Sequence, residues 1–365
     1  IVAALSTATA MMVSVAIMVG SMRETLLVWI DAQLQADLYI QPQRRPGEGD
    51  LPTMDGSVAL TVESLPAVDA VDRYRRYAIS YGGLPATLAL ADFRVLKTRS
   101  GMRMIEGADW TAVADLLLST ESVIVSETFS SKHDVRTGDV LSLPIGDGAE
   151  DFEVVGVYPD YSAESGYILG DRGVLTRHLP DARLTGCGVY LVPGADIEAA
   201  RSEVVRALAG RTVVVARNRE LRENATAVFD RTFAITYALE AVAVFVAILG
   251  MAGSLITLVI DRRGELGLLR ALGGSREQIR SLVMAQAGML GIMSNLIGLL
   301  LGCALSVILV KVINKQSFGW TIQFHWPVGF LLLAIAVIFA ASLAAGLYPA
   351  RIASSSDPGG MLREA

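Results

Sequence analysis

Two long apolar runs, residues 233–260 and 281–313, flank a connector of residues 261–280 that contains five arginines and no lysine. About 20 consecutive apolar residues cross the hydrocarbon core of a bilayer as a helix, so each run predicts a membrane span. Short loops rich in Arg and Lys stay in the cytoplasm. The pattern therefore predicts a short, basic, cytoplasmic connector between two spans.

The connector has the signals of an ordered segment. Residues 265–272 place Leu266, Leu269 and Leu272 at helical spacing, which predicts an amphipathic helix too short to be stable alone. Gly273-Gly274 is typical of a helix end, and Ser275 and Gln278 have the spacing of a capping box that starts the next helix. From these residues, the connector is either a helix that rests on the membrane or a partner, or an ordinary interfacial loop with a basic face.

Two stalk helices are predicted outside the membrane. Residues 1–20 read as a first span, and an apolar stripe along 21–40 continues it as one helix. Residues 218–232 predict a second stalk that Asn218 caps. Four of its residues share a face that is expected to pack on the first stalk as in a coiled coil: Leu221, Ala225, Val228 and Thr232. The chain begins inside an apolar run without the basic start of a signal peptide, so we expect a fragment of a longer protein.

Residues 41–217 predict an α+β domain between the stalks. Short runs rich in Val, Ile and Tyr alternate with turn residues, which indicates strands. The predicted strands are 68–77, 122–125, 140–143, 152–158, 166–169, 188–192 and 212–216, and the predicted helices are 58–65 and 197–208. The fold class is therefore a membrane α-helical protein with four transmembrane helices and an inserted extracytoplasmic α+β domain on a two-helix stalk.

The third and fourth spans complete the layout, in which residues 233–365 hold helices 2–4. The fourth span ends before Pro349, and residues 349–365 form a cytoplasmic tail, in agreement with the charge rule. One face of the third span carries small residues that let another helix approach closely, with an Asn that could hydrogen-bond across it or, alternatively, hold a ligand. These residues are Gly288, Gly291, Asn295, Gly298 and Gly302. In the second span, Glu240 is either an interfacial carboxylate or a substrate or proton site.

Several function classes are not favoured by the composition. The net charge of −6 does not suggest nucleic-acid binding, and the three scattered histidines and two distant cysteines suggest neither a metal site nor a disulfide framework. No phosphate-binding G-x-x-x-x-G-K-[ST] loop and no catalytic triad pattern is present. Asp160 and Glu164 are close in sequence, but such pairs are common on solvated surfaces. We expect a chain that is not an enzyme and binds no cofactor of its own.

Two motifs resemble the FtsX-like permease family, the membrane subunits of the MacB/Lol type of ABC transporter. The connector and third span, ELGLLRALGGSREQIRSLVMAQAGMLG, match the family's signature, with Gly274 in place of the usual Ala or Met. The C-terminal YPARIASSSDPGGMLREA matches at seven positions, with Met361 in place of the usual Ala. These positions are Pro349, Ala350, Arg351, Ala353, Pro358, Leu362 and Arg363. The α+β region resembles the MacB periplasmic core domain, and the chain's start resembles the second repeat of tandem-repeat permeases.

The resemblance implies a bacterial inner-membrane permease with its large domain on the periplasmic side. It implies that the connector helix docks on a cytoplasmic ABC ATPase dimer, which binds the ATP and Mg²⁺. By this resemblance, the residues expected to couple to the ATPase are Arg262, Arg263, Glu265, Leu266, Leu268, Leu269, Arg270 and Leu272. Mechanical transmission of ATPase motion would then export or extract a lipid, lipoprotein, peptide or drug.

The resemblance also implies partners and leaves other roles open. A second permease module is required, as a tandem repeat, homodimer or heterodimer, and a periplasmic partner is allowed. The alternative function is a mechanical signalling subunit that activates an extracytoplasmic enzyme without transport. A membrane receptor is a third possibility, although its cytoplasmic tail would be short.

Overall fold

The structure, a computed structural model, describes residues 2–43, 51–146 and 148–355. Within the helices a few side chains are not described, and three of them belong to residues singled out above: Glu240, Arg263 and Arg270. The motif positions Pro358, Leu362 and Arg363 also lie outside the described residues.

Twelve α-helices are present in the described residues. They are α1 (Val2–Gln33), α2 (Ser57–Glu63), α3 (Phe93–Arg99), α4 (Trp110–Ser119), α5 (Glu127–His133), α6 (Arg172–Leu175), α7 (Ile197–Ala207), α8 (Asn218–Asp261), α9 (Arg263–Ala271), α10 (Arg276–Ile308), α11 (Asn314–Phe318) and α12 (Val328–Ser355). A π-helical turn, Leu309–Ile313, joins α10 to α11.

Ten strands in the described chain form one sheet. They are β1 (Leu38–Pro42), β2 (Val68–Tyr81), β3 (Leu84–Ala91), β4 (Glu106–Gly107), β5 (Ser122–Ser126), β6 (Val140–Leu143), β7 (Glu150–Tyr158), β8 (Tyr167–Asp171), β9 (Gly186–Leu191) and β10 (Val213–Arg217). Their order is β10-β1-β9-β2-β3-β8-β5-β7-β4, with β6 beside β7. The β3–β8 and β5–β7 pairs are parallel, and the other pairs are antiparallel.

The long strand β2 belongs to both halves of this sheet. Its first half pairs with β9, and its second half, from Arg75 onward, pairs with β3. One core lies under α2 and α7, and includes Leu38, Ile40 and Val204. Two further cores lie in the other half, around Phe129 and Phe93. An α+β domain was predicted for this region, and the fold confirms that class.

The first stalk helix is shorter than predicted. Helix α1 ends at Gln33, whereas the prediction continued it to residue 40. Leu38 and Ile40 are fully buried in strand β1, which pairs with β9 and β10. The four-residue spacing of Leu34 and Leu38 suited a helix, but pairing on both edges of β1 outweighs that local preference.

Asn218 does not play the predicted capping role. Its Nδ2 donates to the carbonyl oxygens of Leu34 and Ala36, both at 2.7 Å, and its Oδ1 accepts from Arg222. Arg222 in turn pairs with Asp31 of α1. Polar contacts therefore join the start of α8 to the end of α1, and Val228, predicted to face the first stalk, is exposed.

The sequence prediction also omitted several elements of the α+β domain. Strands β3 and β4 and helices α3, α4, α5 and α6 were not predicted. Strand β3, LPATLALA, carries alanines and a proline that lower its strand propensity. It is held by β2 on one edge and by β8 on the other, contacts that no local pattern reveals.

The chain divides into two compact units. The helical unit comprises the described residues of Ile1–Glu24, Phe229–Ile313 and Ile322–Ala365. The α+β unit comprises Thr25–Val228 and Asn314–Thr321. Inside the helical unit, one core joins Leu5 of α1, Leu255 of α8, Ala287 of α10 and Ile338 of α12.

Three helical segments of the described chain are long and apolar enough to cross a membrane. They are Leu5–Gln33, Arg276–Ser317 and Leu331–Ser354. The predicted second span lies in α8, whose described apolar stretch Ile248–Asp261 is shorter.

Candidate functional site

The connector forms a separate short helix with a defined end at each side. Helix α8 ends at Asp261, and α9 begins two residues later. At the other end the Gly274 N–H donates to the Leu269 carbonyl at 3.0 Å, while Gly273 has φ +99°. This six-to-one bond with a left-handed glycine is a Schellman cap, which satisfies a carbonyl that the helix leaves open.

Helix α10 begins immediately after this cap. The Gln278 N–H donates to the Ser275 hydroxyl at 3.2 Å, and the Ser275 N–H donates to the Gln278 side chain at 2.7 Å. This is the reciprocal capping box predicted from the sequence. Local hydrogen bonds hold both sides of the turn between α9 and α10. The connector's own residues therefore set the orientation of α9 relative to α10.

One side of α9 is anchored in the helical unit. Leu266 is buried in a cluster with Val259 of α8, Ile279 and Val283 of α10, and Ala350 of α12. A displacement of α9 therefore meets packed side chains of three other helices. Packed interiors are stiff and transmit strain.

Three other leucines of the connector remain uncovered. Leu268, Leu269 and Leu272 are 55%, 45% and 77% exposed. We call these three residues the leucine patch. The neighbouring Arg262 and Glu265 are exposed as well. The connector thus combines an anchored apolar residue, an exposed apolar surface and a charged margin.

The small residues of α10 lie against two different helices. A Cβ added at Gly298 would lie 2.4 Å from Cβ of Thr9, and one at Gly302 would lie 2.7 Å from Cβ of Val13, both in α1. At Gly291 the nearest atoms belong to Ser342 of α12. Only glycine fits at such distances, so α10 is wedged between α1 and α12.

Asn295 and Gly288 lie on the side of α10 that faces α12. Asn295 Nδ2 donates to the Ile335 carbonyl at 3.3 Å, and its Oδ1 is buried without a partner among the described residues. A Cβ at Gly288 would make ordinary contact with Leu343. Gly346 of α12, where a Cβ would lie 2.6 Å from Cβ of Ala287, was not predicted as a packing residue. Its spacing of four from Ser342 was a usable signal.

The α+β unit was searched for groups of metal-binding side chains over the part of the chain that is described. No cluster of three or more metal-ligating side chains occurs there. Asp160 is buried rather than solvated, contrary to the expectation for this pair, and its carboxylate accepts from the N–H and hydroxyl of Ser162. Burial raises the pKa of this carboxyl, against the hydrogen bonds from Ser162 that lower it. Glu164 is exposed.

Two family models together match most of the chain. The FtsX-like permease C-terminal model matches residues 238–358, which include α9, and the MacB-like periplasmic core domain model matches residues 1–207. The chain belongs to the FtsX-like permease family of ABC transporters. Its α+β domain is thus of the periplasmic core type, and its later helices are of the FtsX-like permease type.

Curated relatives share this assignment. An uncharacterised ABC transporter permease of Mycobacterium tuberculosis is 35% identical over 96% of this chain and 41% of its own length. The lipoprotein-releasing system transmembrane protein LolC of Haemophilus influenzae is 30% identical over 33% of this chain and 31% of its own. The macrolide export ATP-binding/permease protein MacB of Bradyrhizobium diazoefficiens is 24% identical over 71% of this chain and 40% of its own length. The chain thus spans less than half the length of each of these three.

Among solved structures, the periplasmic region of MacB from Actinobacillus actinomycetemcomitans is similar. It is 12% identical with a TM-score of 0.40, and the match covers 52% of this chain and 92% of that one.

Proposed function

We propose that this permease couples ATP hydrolysis in a separate cytoplasmic ATPase to motion of its periplasmic α+β domain, and that α9 is the coupling helix. The observation that supports this proposal is the two-sided character of α9. Leu266 fixes the helix to α8, α10 and α12, while the leucine patch remains open.

The leucine patch has the chemistry of a protein docking surface. Fully burying one leucine side chain contributes about 1.5–3 kcal/mol, so three leucines supply a hydrophobic centre for a small interface. Arg262 and Glu265 at its margin add charged groups that orient a partner. The ATPase groove is expected to cover the patch with apolar side chains.

The proposed topology follows from charge and hydropathy. We propose four spans, in α1, α8, α10 and α12, in the bacterial inner membrane. The arginine-rich connector lies in the cytoplasm and the α+β domain in the periplasm. The cargo is a lipid, lipoprotein, peptide or drug that periplasmic motion expels or extracts, a choice supported by the names of the LolC and MacB relatives.

A second permease module completes the proposed assembly. Helix α8 exposes Ile235, Leu239, Val242, Val246 and Leu249. Their spacing of four, three, four and three is compatible with the seam of a coiled coil, and we propose that this face packs on the second module. The tuberculosis relative is long enough for another module of this size, because the match covers 41% of it.

The docking role is tested by co-purification of the membrane protein with its ATPase. We expect Leu268→Lys to weaken ATPase binding at least roughly tenfold, since loss of one buried leucine exceeds 1.4 kcal/mol. Glu265→Lys should also weaken binding, because it reverses a charge at the margin of the leucine patch. The matched control is Leu60→Lys, an exposed leucine of the α+β unit. Equal retention of the ATPase by the connector variants and the control would contradict the proposed docking role of α9.

A further inference from the structure

The segment between the third and fourth predicted spans is part of the α+β unit. Asn314–Thr321 groups with that unit, although the residues on both sides of it group with the helical unit. We call this segment the strap. It begins with α11, closes on Gly319 at φ +75°, and is braced internally by Asn314 Nδ2, which donates to the Trp320 carbonyl at 2.9 Å.

One carboxylate holds the end of the strap. Glu127, the first residue of α5, is only 8% exposed. Its Oε2 accepts from the Thr321 N–H at 2.9 Å, and its Oε1 accepts from the Thr321 hydroxyl at 2.5 Å. Both carboxylate oxygens thus bind the same residue, 194 positions away in the chain. A buried carboxylate is costly without such donors, so the contact favours one geometry.

Aromatic rings extend the attachment beyond this pair. The ring of Trp320 lies 4.5 Å from that of Tyr161, and Tyr161 lies 5.8 Å from Trp29 at the end of α1. The Tyr161 hydroxyl points to the Thr321 carbonyl at 3.5 Å. Burial, followed by the charge of Glu127, raises the pKa of Tyr161 to about 12. Tyr161 therefore stays neutral beside the carboxylate at physiological pH.

We propose that Glu127 is a latch residue that fixes the strap to the periplasmic domain, so that the domain follows the third and fourth spans as well as the two stalks. The role of the latch in transmitting motion rests on the proposed function, whereas the Glu127–Thr321 contact itself does not. The strap and the domain then move as one body. Glu127 acts by positioning Thr321.

The latch is tested first on the permease without its ATPase, by hydrogen exchange of the strap amides. We expect Glu127→Gln and Thr321→Val each to accelerate exchange at Thr321 roughly tenfold, the scale of a lost charge-assisted hydrogen bond. The double variant should exchange no faster than the faster single variant, because both changes break one interaction. Thr321→Ser, which keeps the hydroxyl, should restore protection.

Glu153→Gln, an exposed glutamate of β7, and Thr98→Val, an exposed threonine of α3, are the matched controls. Independent, additive effects of the two latch variants, or equal effects of the controls, would overturn the latch. These outcomes do not depend on whether any ATPase binds α9.

A second arm tests whether the latch stays closed during the cycle. With the ATPase bound and trapped by ATP and vanadate, we expect the Thr321 amide to remain protected within about twofold of its resting value. Loss of that protection on trapping would show that the strap detaches and would overturn the one-body proposal. Failure of the ATPase to bind would count against the coupling role of α9 alone.

Discussion

Asp72 is a half-buried carboxyl on the strand that both halves of the sheet share. Its Oδ1 accepts from the Asp92 N–H at 3.0 Å. Burial raises its pKa to about 7, and the charge of Asp92 adds to this, against the Asp92 N–H and Arg73, which lower it. The same carboxyl contributes to the raised pKa values of Cys187 and Tyr190 in β9, although burial is the larger cause in both.

This residue predicts a pH dependence of the α+β unit. The folded pKa lies above the usual value of 3.8, so the folded state binds the proton more tightly than the unfolded chain. The stabilising contribution is complete below about pH 4 and is lost as the pH rises through about 7. We expect the midpoint of thermal unfolding to fall between pH 5 and pH 8, and Asp72→Asn to reduce that slope. Asp151→Asn, at an exposed site, should leave the slope unchanged. An identical slope in Asp72→Asn would refute the assignment.

At the scale of elements, α9 depends on the glycine that ends it. Gly273 has a left-handed backbone at φ +99°, which costs a residue with Cβ roughly 1–2 kcal/mol. Gly274, its neighbour, is not among the described glycines with a left-handed backbone. We expect Gly273→Ala to disorder the end of α9 and lower ATPase binding several-fold, whereas Gly274→Ala should bind as the wild type does. Co-purification and hydrogen exchange of residues 265–275 measure both effects, and equal behaviour of the two variants would contradict the argument.

The elements also show which parts of the fold a sequence determines locally. The connector helix, its glycine end and the capping box of Ser275 were predicted because each depends on hydrogen bonds within a few residues. Strand β1 was mistaken for helix because its partners, β9 and β10, lie about 150 and about 175 residues away. The Glu127–Thr321 latch was not predicted for the same reason: the two residues are 194 positions apart, and neither belongs to a local pattern. The leucine patch could not be predicted from the sequence, because only packing distinguishes buried Leu266 from exposed Leu268.

At the scale of the whole molecule, α8 presents more apolar surface than one module covers. Ile235, Leu239, Val242, Val246 and Leu249 are all more than half exposed, in a repeat of four and three residues. Other helices of the unit also expose leucines, among them Leu300 of α10 at 74%. Exposure alone therefore does not separate a lipid-facing surface from a helix interface. Spacing does not separate them either, because the exposed residues Met289, Met293, Leu296 and Leu300 of α10 repeat in the same way, and cross-linking is needed to decide. A seven-residue repeat keeps its seam in register with a partner helix over several turns.

If the exposed apolar face of α8 around Val242 packs on a second module, a photo-cross-linking side chain on that face should capture protein. Placed at position 242 in the intact membrane protein, it should attach to a peptide from α8 of a second copy or from the corresponding helix of a second module. Placed at position 300, it should react mainly with lipid. Mass spectrometry of the cross-linked peptides identifies the partner directly. The prediction has a physical basis in helix packing, because knobs at alternating spacings of three and four meet holes on a facing helix. If position 242 captured only lipid, as position 300 is expected to, the α8 seam would not be the interface between modules, and assembly would have to use another face of the helical unit.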